Sequence, residues 1–223
     1  MTALTLTLIK SPATKLDCRH ITPTNLAGLS LDAIKNLPLN AQKNAFKVAD
    51  YFEVTGTDNN TIIFKNTHQH LDYIGYKMSV GCIIIENDCG DFLGANMQGG
   101  RIICQGSAGH RAGDQMRRGL LLIDGNAKDY VASRMIAGTI GINGHVGQYA
   151  GFGMKRGTLL LCQHPTLTAT WQDCGSHSLP FMKILSDSFK SLPSKFASLT
   201  ISKVRKFAGD LSVDGRAEML IIK

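Results

Sequence analysis

Apolar residues in this chain come in short runs, and the runs repeat. "CIIIE" occupies 82–86, "RIICQ" 101–105, "LLLID" 120–124 and "TIGIN" 139–143, each starting 19 residues after the last. The polar, glycine-rich stretches between them keep the same step. Methionine falls at 78, 97, 116, 135 and 154, and glycine follows at 81, 100, 119, 138 and 157. A second glycine column reads Gly56, Gly75, Gly94, Gly113, then Ala132, then Gly151; a third reads Gly106, Gly125 and Gly144, preceded by Asn87. Two apolar columns run Ile83, Ile102, Leu121, Ile140, Leu159 and Ile85, Cys104, Ile123, Ile142, Leu161. One period shared by so many columns marks a solenoid, whose units bury their apolar sides on one another.

The local chemistry selects the type of solenoid. A helical repeat needs apolar spacings of three and four, and each glycine would weaken it by about 1 kcal/mol relative to alanine. A leucine-rich repeat would show L-x-x-L-x-L. Here each unit has a β-branched run, a Gly or Asn turn and a second short run, which are strand and turn signals. The expected fold is mainly β, a parallel β-helix of 19-residue coils, stacked at the strand spacing of about 4.8 Å. Glycine recurs because a turn with φ > 0 recurs. Methionine recurs because a pliable thioether fills the interior corner. The Met97, Met116 and Met135 side chains are therefore expected to be buried, beside an inward ladder of Ile102, Leu121 and Ile140.

The coils read 44–62, 63–81, 82–100, 101–119, 120–138, 139–157 and a degenerate one from Thr158. Short α-helical flanks are expected on either side. "LSLDAIKNLPL" predicts a short helix capped at Ser30 or Asp32, and "CGSHSLPFMKILSDSFKSLPSK" predicts one from near Ser178 to before Pro193. The second should present Phe181, Ile184, Leu185 and Phe189 on one face. Three regions follow: an N-terminal flank at 1–43, the solenoid at 44–175, and a C-terminal helix with a closing strand at 176–223. Both flanks serve as caps over open strand edges. Lys128 and Ala132 stand where the pattern has glycine, so the turns of that coil should be reshaped.

Composition narrows the setting. No stretch of the 223 residues approaches the roughly 20 apolar residues of a membrane span, and the N-terminus lacks the pattern of a signal peptide. The six cysteines form no C-x-x-C pair and read as thiols of a cytoplasmic protein. Glutamate is scarce, at Glu53, Glu86 and Glu218 alone, which argues against a hyperthermophile.

Candidate chemistry is sparse. His68-x-His70 matches the pair that opens many zinc amidohydrolase sites, but zinc needs three or four supported ligands. By register His68 belongs to a turn column and His70 to a small apolar column, so no metal site is expected. Cys174 with His177 is a possible nucleophile and base, without a visible activating environment. None of the glycines opens a phosphate loop. No catalytic residue is therefore assigned.

The outward positions are more informative. Ile84, Ile103, Leu122, Gly141 and Leu160 make an apolar outer stripe that should not face water. Either the chain's own C-terminal segment or another subunit must cover it. Arg117-Arg118 and Lys155-Arg156 occupy equivalent places two coils apart, about 10 Å, with Arg101, Arg111, Lys128 and Arg134 in nearby coils. These bases are either a solvated face or a surface for a polyanion. A formal net charge of +7 does not by itself indicate nucleic acid, and no nucleic-acid module is present. Arg111 also interrupts an aromatic column of Tyr73, Phe92, Tyr130 and Tyr149, where its flat guanidinium could replace one rung.

The coil "GDFLGANMQGGRIICQGSAG" resembles those of the C-type subunit of formylmethanofuran dehydrogenase and of its counterpart in the formyltransferase/hydrolase complex of methylotrophic bacteria. The lead-in "LAGLSLDAIKNLPL" with "VADYFEVTG" is similar to that family's N-terminal segment, and "KFAGDLSVDGRAEMLIIK" to its closing G-D-x-x-x-x-G-x-x-E pattern. The C-terminal domain of glutamate synthase carries a similar glycine-rich β-helix; a free-standing structural module of that kind is a further alternative. The resemblance implies a structural subunit without a catalytic site, in one-carbon metabolism and methylotrophy. Its partners would be a formyltransferase subunit, an amidohydrolase-like subunit that releases formate and a dehydrogenase-like subunit. Tetrahydromethanopterin and a methanofuran-like carrier with a glutamate-rich tail would be the cofactors of the complex. Arg117, Arg118, Lys155, Arg156 and Arg111 would then be a carrier-tail or partner surface. The composition favours the hydrolase complex over the dehydrogenase, an oxidoreductase with a tungsten or molybdenum centre.

Overall fold

The computed structural model describes residues 2–40 and 46–223, so the boundary expected at 43/44 lies outside the described residues. The chain is mainly β. Its strands are β1 (Ala3–Leu8), β2 (Leu16–Asp17), β3 (Phe52–Thr55), β4 (Asp58–Lys65), β5 (Leu71–Asp72), β6 (Cys82–Ile85) and β7 (Arg101–Cys104). They continue with β8 (Leu120–Ile123), β9 (Thr139–Ile142), β10 (Arg156–Leu161), β11 (Gln172–His177), β12 (Val204–Gly209) and β13 (Arg216–Ile222). Eleven form one mixed sheet in the order β11-β12-β13-β10-β9-β8-β7-β6-β4-β1-β3, and β2 pairs with β5. The helices are α1 (Pro23–Leu26), α2 (Leu31–Lys35), α3 (Val48–Tyr51) and α4 (Phe181–Phe189). Ser30 caps α2, its Oγ accepting the Ala33 N–H at 3.2 Å.

From β7 to β10 each strand pairs in parallel with the one 19 residues earlier, aligning Ile83, Ile102, Leu121, Ile140 and Leu159. That column is fully buried, as are Met78, Met97, Met116, Met135 and Met154. One register differs from expectation. Ile62 pairs with Ile83 and Phe64 with Ile85, a step of 21. The turn side keeps the shorter step, since the Asp91 N–H bonds the Asp72 Oδ1. The two extra residues therefore lie in 65–70, "KNTHQH", and the coil drawn at 63–81 is longer than the rest.

The turns repeat through backbone handedness. Positive φ, between 54° and 73°, recurs at Tyr73, Phe92, Arg111, Tyr130 and Tyr149, then at Gly75, Gly94, Gly113, Ala132 and Gly151, then at Lys77, Asn96, Gln115, Arg134 and Gly153. Alternating handedness points successive N–H groups up and down the stack. Phe92 and Asn96 donate forward to the His110 and Asp114 carbonyls at 2.8 and 2.7 Å; Gly94 and Gln98 donate back to Ile74 and Met78 at 2.9 and 2.7 Å. Repeats are thus bonded outside the strands as well.

Ala132 does not reshape its turn, whereas Lys128 lifts the backbone slightly, its N–H shared between the Ala108 and Gly109 carbonyls at 3.3 Å each. Ala132 keeps φ at +56° and is buried, at a cost of about 1–2 kcal/mol for a left-handed residue with a Cβ. Lys128 has a different cause. At Gly90, Gly109 and Gly147 a Cβ would overlap the Oδ1 of Asp72, Asp91 and Asp129 respectively. Those oxygens accept the N–H groups of Asp91, His110 and Gln148, each at 2.8 Å. At the same offset, 18 residues before Lys128, the residue is His110, which has no such carboxyl, so a side chain is admitted.

The outer stripe is covered by the chain itself. Ile103, Leu122 and Leu160 are buried with Met182, Phe189, Leu192, Phe196, Ile201, Val204 and Leu220. Gly141 lies beneath Phe196, where a Cβ would come within 3.0 Å of Cζ. Asp124 pins the cover, accepting from Ser194 Oγ at 2.6 Å and the Lys195 N–H at 3.0 Å. The face expected of α4 is corrected: Met182, Ser186 and Phe189 are buried, whereas Phe181 and Ile184 are exposed. Beyond β10 the next parallel strand is β13, with Met219 beside Leu159. β12 and β11 add antiparallel at that end, and β1 and β3 close the other.

Candidate functional site

The basic residues share one backbone setting. The Arg117 and Lys155 N–H groups donate to the Met97 and Met135 carbonyls at 2.8 Å, as Ile136 does to Met116 between them. Arg117, Arg118, Lys155 and Arg156 are all exposed. They make no ion pair among the described residues. Ladder spacing separates the two pairs by two rungs, about 10 Å. Arg134 is different, because its guanidinium is committed to the buried Asp114 at 2.7 Å.

The aromatic column forms a stacked ladder. Tyr73 and Phe92 lie 4.7 Å apart at 2°, and Tyr130 and Tyr149 4.9 Å apart at 18°. Arg111 is the rung between the two pairs, with its guanidinium carbon 4.7 Å from the Tyr130 centroid and its Nη1 4.0 Å from Asp114. Sequence reasoning missed the cation at the other end. Arg19, outside the repeat, lies 4.8 Å over Tyr73 and is held by Asp17 at 2.6 Å.

A second missed feature is the carboxylate column Asp72, Asp91 and Asp129, whose spacing of 19 and then 38 was visible in the sequence. Lys15 bridges Asp72, at 3.2 Å, and Asp91. Burial pushes the Asp91 carboxyl up, but the Lys15 ammonium and the His110 N–H outweigh it and hold the group below its ordinary value.

The other candidates come apart. His68 and His70 meet edge to face at 4.7 Å, and the His70 Nδ1 is engaged by the Pro12 carbonyl at 2.9 Å. Among the described residues no group of three potential ligands forms. Thr67 Oγ1 and His68 Nδ1 are buried without a partner, at the longer coil. They line a polar cleft of about 760 Å³ with Asn66, Glu86, Asn87 and Asp88. The His177 ring binds the Cys174 carbonyl at 2.7 Å, while the Cys174 thiol faces the Gln172 carbonyl, so they are not a nucleophile–base pair. All six cysteines are free. Burial pushes the Cys162 thiol up to about 11, and Cys18 further still.

No family model matches the chain, and no curated protein does. A solved structure does: a chain of the formyltransferase/hydrolase complex (FhcABCD) from Methylorubrum extorquens, crystallised with methylofuran. The two share 30% identity over 98% of this chain and 99% of that one, with a TM-score of 0.67. The chain belongs to the family of formyltransferase/hydrolase complex subunits.

Two of the sequence-derived features lie on the surface. Arg117, Arg118, Lys155 and Arg156 share one corner, while Arg111 sits within the ladder. The rung can be weighed by mutation. Arg111→Ala should cost about 0.5–1 kcal/mol, the range for a partly exposed cation over a ring. Arg111→Lys should lose most of the same amount although it keeps the charge, because an ammonium cannot lie flat. Both variants melting like the parent would show that the rung contributes nothing.

Proposed function

We propose that this chain is the C-type subunit of a formyltransferase/hydrolase complex. In this reading it is a non-catalytic parallel β-helix on which partner subunits assemble, with residues 1–43 and 176–223 as caps around a solenoid at 44–175. The partners would be formyltransferase, amidohydrolase-like and dehydrogenase-like subunits. Together they would move formyl groups between tetrahydromethanopterin and a methanofuran-like carrier and release formate. The similarity over nearly the full length of both chains carries the proposal. The scaffold role is supported by a structure whose 19-residue steps are bonded along the strands and along the turns. The engaged His70, Cys174 and His177 groups speak against chemistry of its own. Six free thiols fit the cytoplasm. No helix among the described residues is long and apolar enough to cross a membrane.

The exposed corner of Arg117, Arg118, Lys155 and Arg156 is assigned to a polyanion, either the carrier's glutamate-rich tail or an acidic partner face. Purifying the tagged chain with its neighbours should recover the other subunits, with formyl hydrolysis in the complex and none in the chain alone. One zinc per isolated chain that disappears in His70→Ala would overturn the scaffold reading. Replacing all four bases by glutamine should weaken binding of an oligoglutamate peptide at least roughly tenfold, about 1.4 kcal/mol. The difference should shrink with salt, since the screening length is only about 8 Å at 0.15 M. Equal affinity of parent and variant at low salt would remove the corner from the proposal.

A further inference from the structure

A ring in a stacked column has two faces to cover. Tyr73 lies between the Arg19 guanidinium at 4.8 Å and Phe92 at 4.7 Å, and Tyr130 lies between Arg111 at 4.7 Å and Tyr149 at 4.9 Å. Tyr149 is the last rung. Tyr130 is its sole aromatic or cationic stacking partner among the described residues. The period ends after β10, and what caps this turn covers only its later half. Trp171 packs at Gly151, where a Cβ would overlap its Cζ2 at 2.5 Å, and Asp210 Oδ2 accepts the Gly153 N–H at 2.9 Å. Tyr149 and Phe152 are left 42% and 52% exposed. The loop after Asp210, whose N–H donates to the Met154 carbonyl at 3.2 Å, adds Leu211 and Val213, 56% and 45% exposed. Four large apolar side chains thus stand open at one end of the stack.

The charges indicate the occupant. Each guanidinium already in the ladder stands beside a carboxylate: Arg19 by Asp17 at 2.6 Å and Arg111 by Asp114 at 4.0 Å. The order of the ladder points to a third cation: a guanidinium precedes each pair of rings, Arg19 before Tyr73 and Phe92 and Arg111 before Tyr130 and Tyr149. The last carboxylate of the turn column, Asp129, lies one coil below Tyr149. The Asp129 Oδ1 accepts the N–H of Gln148, next to Tyr149, and its side chain is 42% exposed with a histidine, His110, as its ion-pair partner at 3.6 Å. Arginine and aromatic residues are also the types enriched where protein surfaces meet. We infer that this end is a docking surface for a partner subunit's arginine, whose guanidinium lies on the free face of Tyr149 within a rim of Phe152, Leu211 and Val213. The inference rests on the reading of the chain as a subunit of a complex.

The test uses the whole chain co-expressed with the other subunits. Tyr149→Ala should weaken recovery of one partner about tenfold or more while staying folded, and Tyr149→Phe should keep both the recovery and the parent's melting point. A photoreactive phenylalanine analogue at 149 should cross-link to an arginine-containing peptide of that partner. Changing this arginine to lysine should weaken assembly as much as Tyr149→Ala does. A parent chain that recovers no partner overturns the subunit reading and the docking surface together. A parent that assembles while Tyr149→Ala assembles equally well overturns the docking surface alone. So does a cross-link to a second copy of this chain or to a segment without arginine.

Discussion

Replacing Leu121 by alanine should lower stability by about 2–5 kcal/mol, with the upper half expected. Leu121 is fully buried between Ile102 and Ile140 in the inward column. Its Cδ2 crosses the interior to the opposite turn, where Cβ atoms at Gly94 and Gly113 would sit 3.4 and 3.6 Å away. The cavity would therefore be bounded by backbone on one side and by neighbouring rungs above and below. Those rungs are held apart by the hydrogen-bond ladder at about 4.8 Å and cannot collapse into the space. At roughly 2–4 °C per kcal/mol for a chain of this size, the melting point should fall by about 4–20 °C. Arg117→Ala, on the exposed corner, should stay within about 0.5 kcal/mol. A loss below about 1 kcal/mol for Leu121→Ala would mean that the interior is looser than the ladder requires.

The same contacts give the glycine column a second cause. A left-handed turn explains why glycine is tolerated there, and Ala132 shows that the turn survives a Cβ. What excludes larger residues is the strand opposite: a Cβ at Gly75 would overlap Ile102 Cδ1, and one at Gly113 would overlap Ile140 Cδ1. The interior is narrow enough for the strand side chains to reach the turn backbone.

The period, the inward ladder and the buried methionines were legible because each is a statement about identical columns, and stacking imposes identity on columns. The longer first coil was not. Its strand reads Ile62-Ile63-Phe64, and a slip of two residues returns every side chain to the same face, so the pattern is unchanged. A slip of one would have been visible. The outer stripe announced that something must cover it, but not what, since the cover is 22 to 117 residues away and has no period. The wrong face for α4 has a similar origin. Its sequence carries two overlapping apolar stripes, and packing against the sheet selected the one with the small Ser186 at its centre. Arg19 escaped for the plainest reason: it lies outside the repeat, and nothing local ties it to Tyr73.

Adding a single methyl group at Gly147 should cost about 2–4 kcal/mol, from overpacking of about 1–3 kcal/mol and a damaged hydrogen bond of about 1 kcal/mol. The Cβ would overlap the Asp129 Oδ1 and come within 2.7 Å of the Asp129 nitrogen. The carboxyl cannot simply turn away, because Oδ1 accepts the Gln148 N–H at 2.8 Å. The chain contains its own control. Where His110 replaces the carboxylate, Lys128 replaces the glycine, and the Lys128 N–H is shared between the Ala108 and Gly109 carbonyls at 3.3 Å each. A side chain in this column thus demands both the loss of the carboxyl and a small lift of the backbone. Asp129→Ala alone should cost about 1 kcal/mol through the lost bond. Combined with Gly147→Ala, it should cost less than the sum of the two by about 1–2 kcal/mol, within the range for residues in contact. The reciprocal pair, His110→Asp with Lys128→Gly, should restore the regular rung and be neutral or stabilising, whereas His110→Asp alone should destabilise. Denaturant midpoints of the four single and two double variants decide it. Strict additivity in both cycles would show that glycine and carboxylate occupy these columns independently, and that steric exclusion between successive coils is not what ties them together.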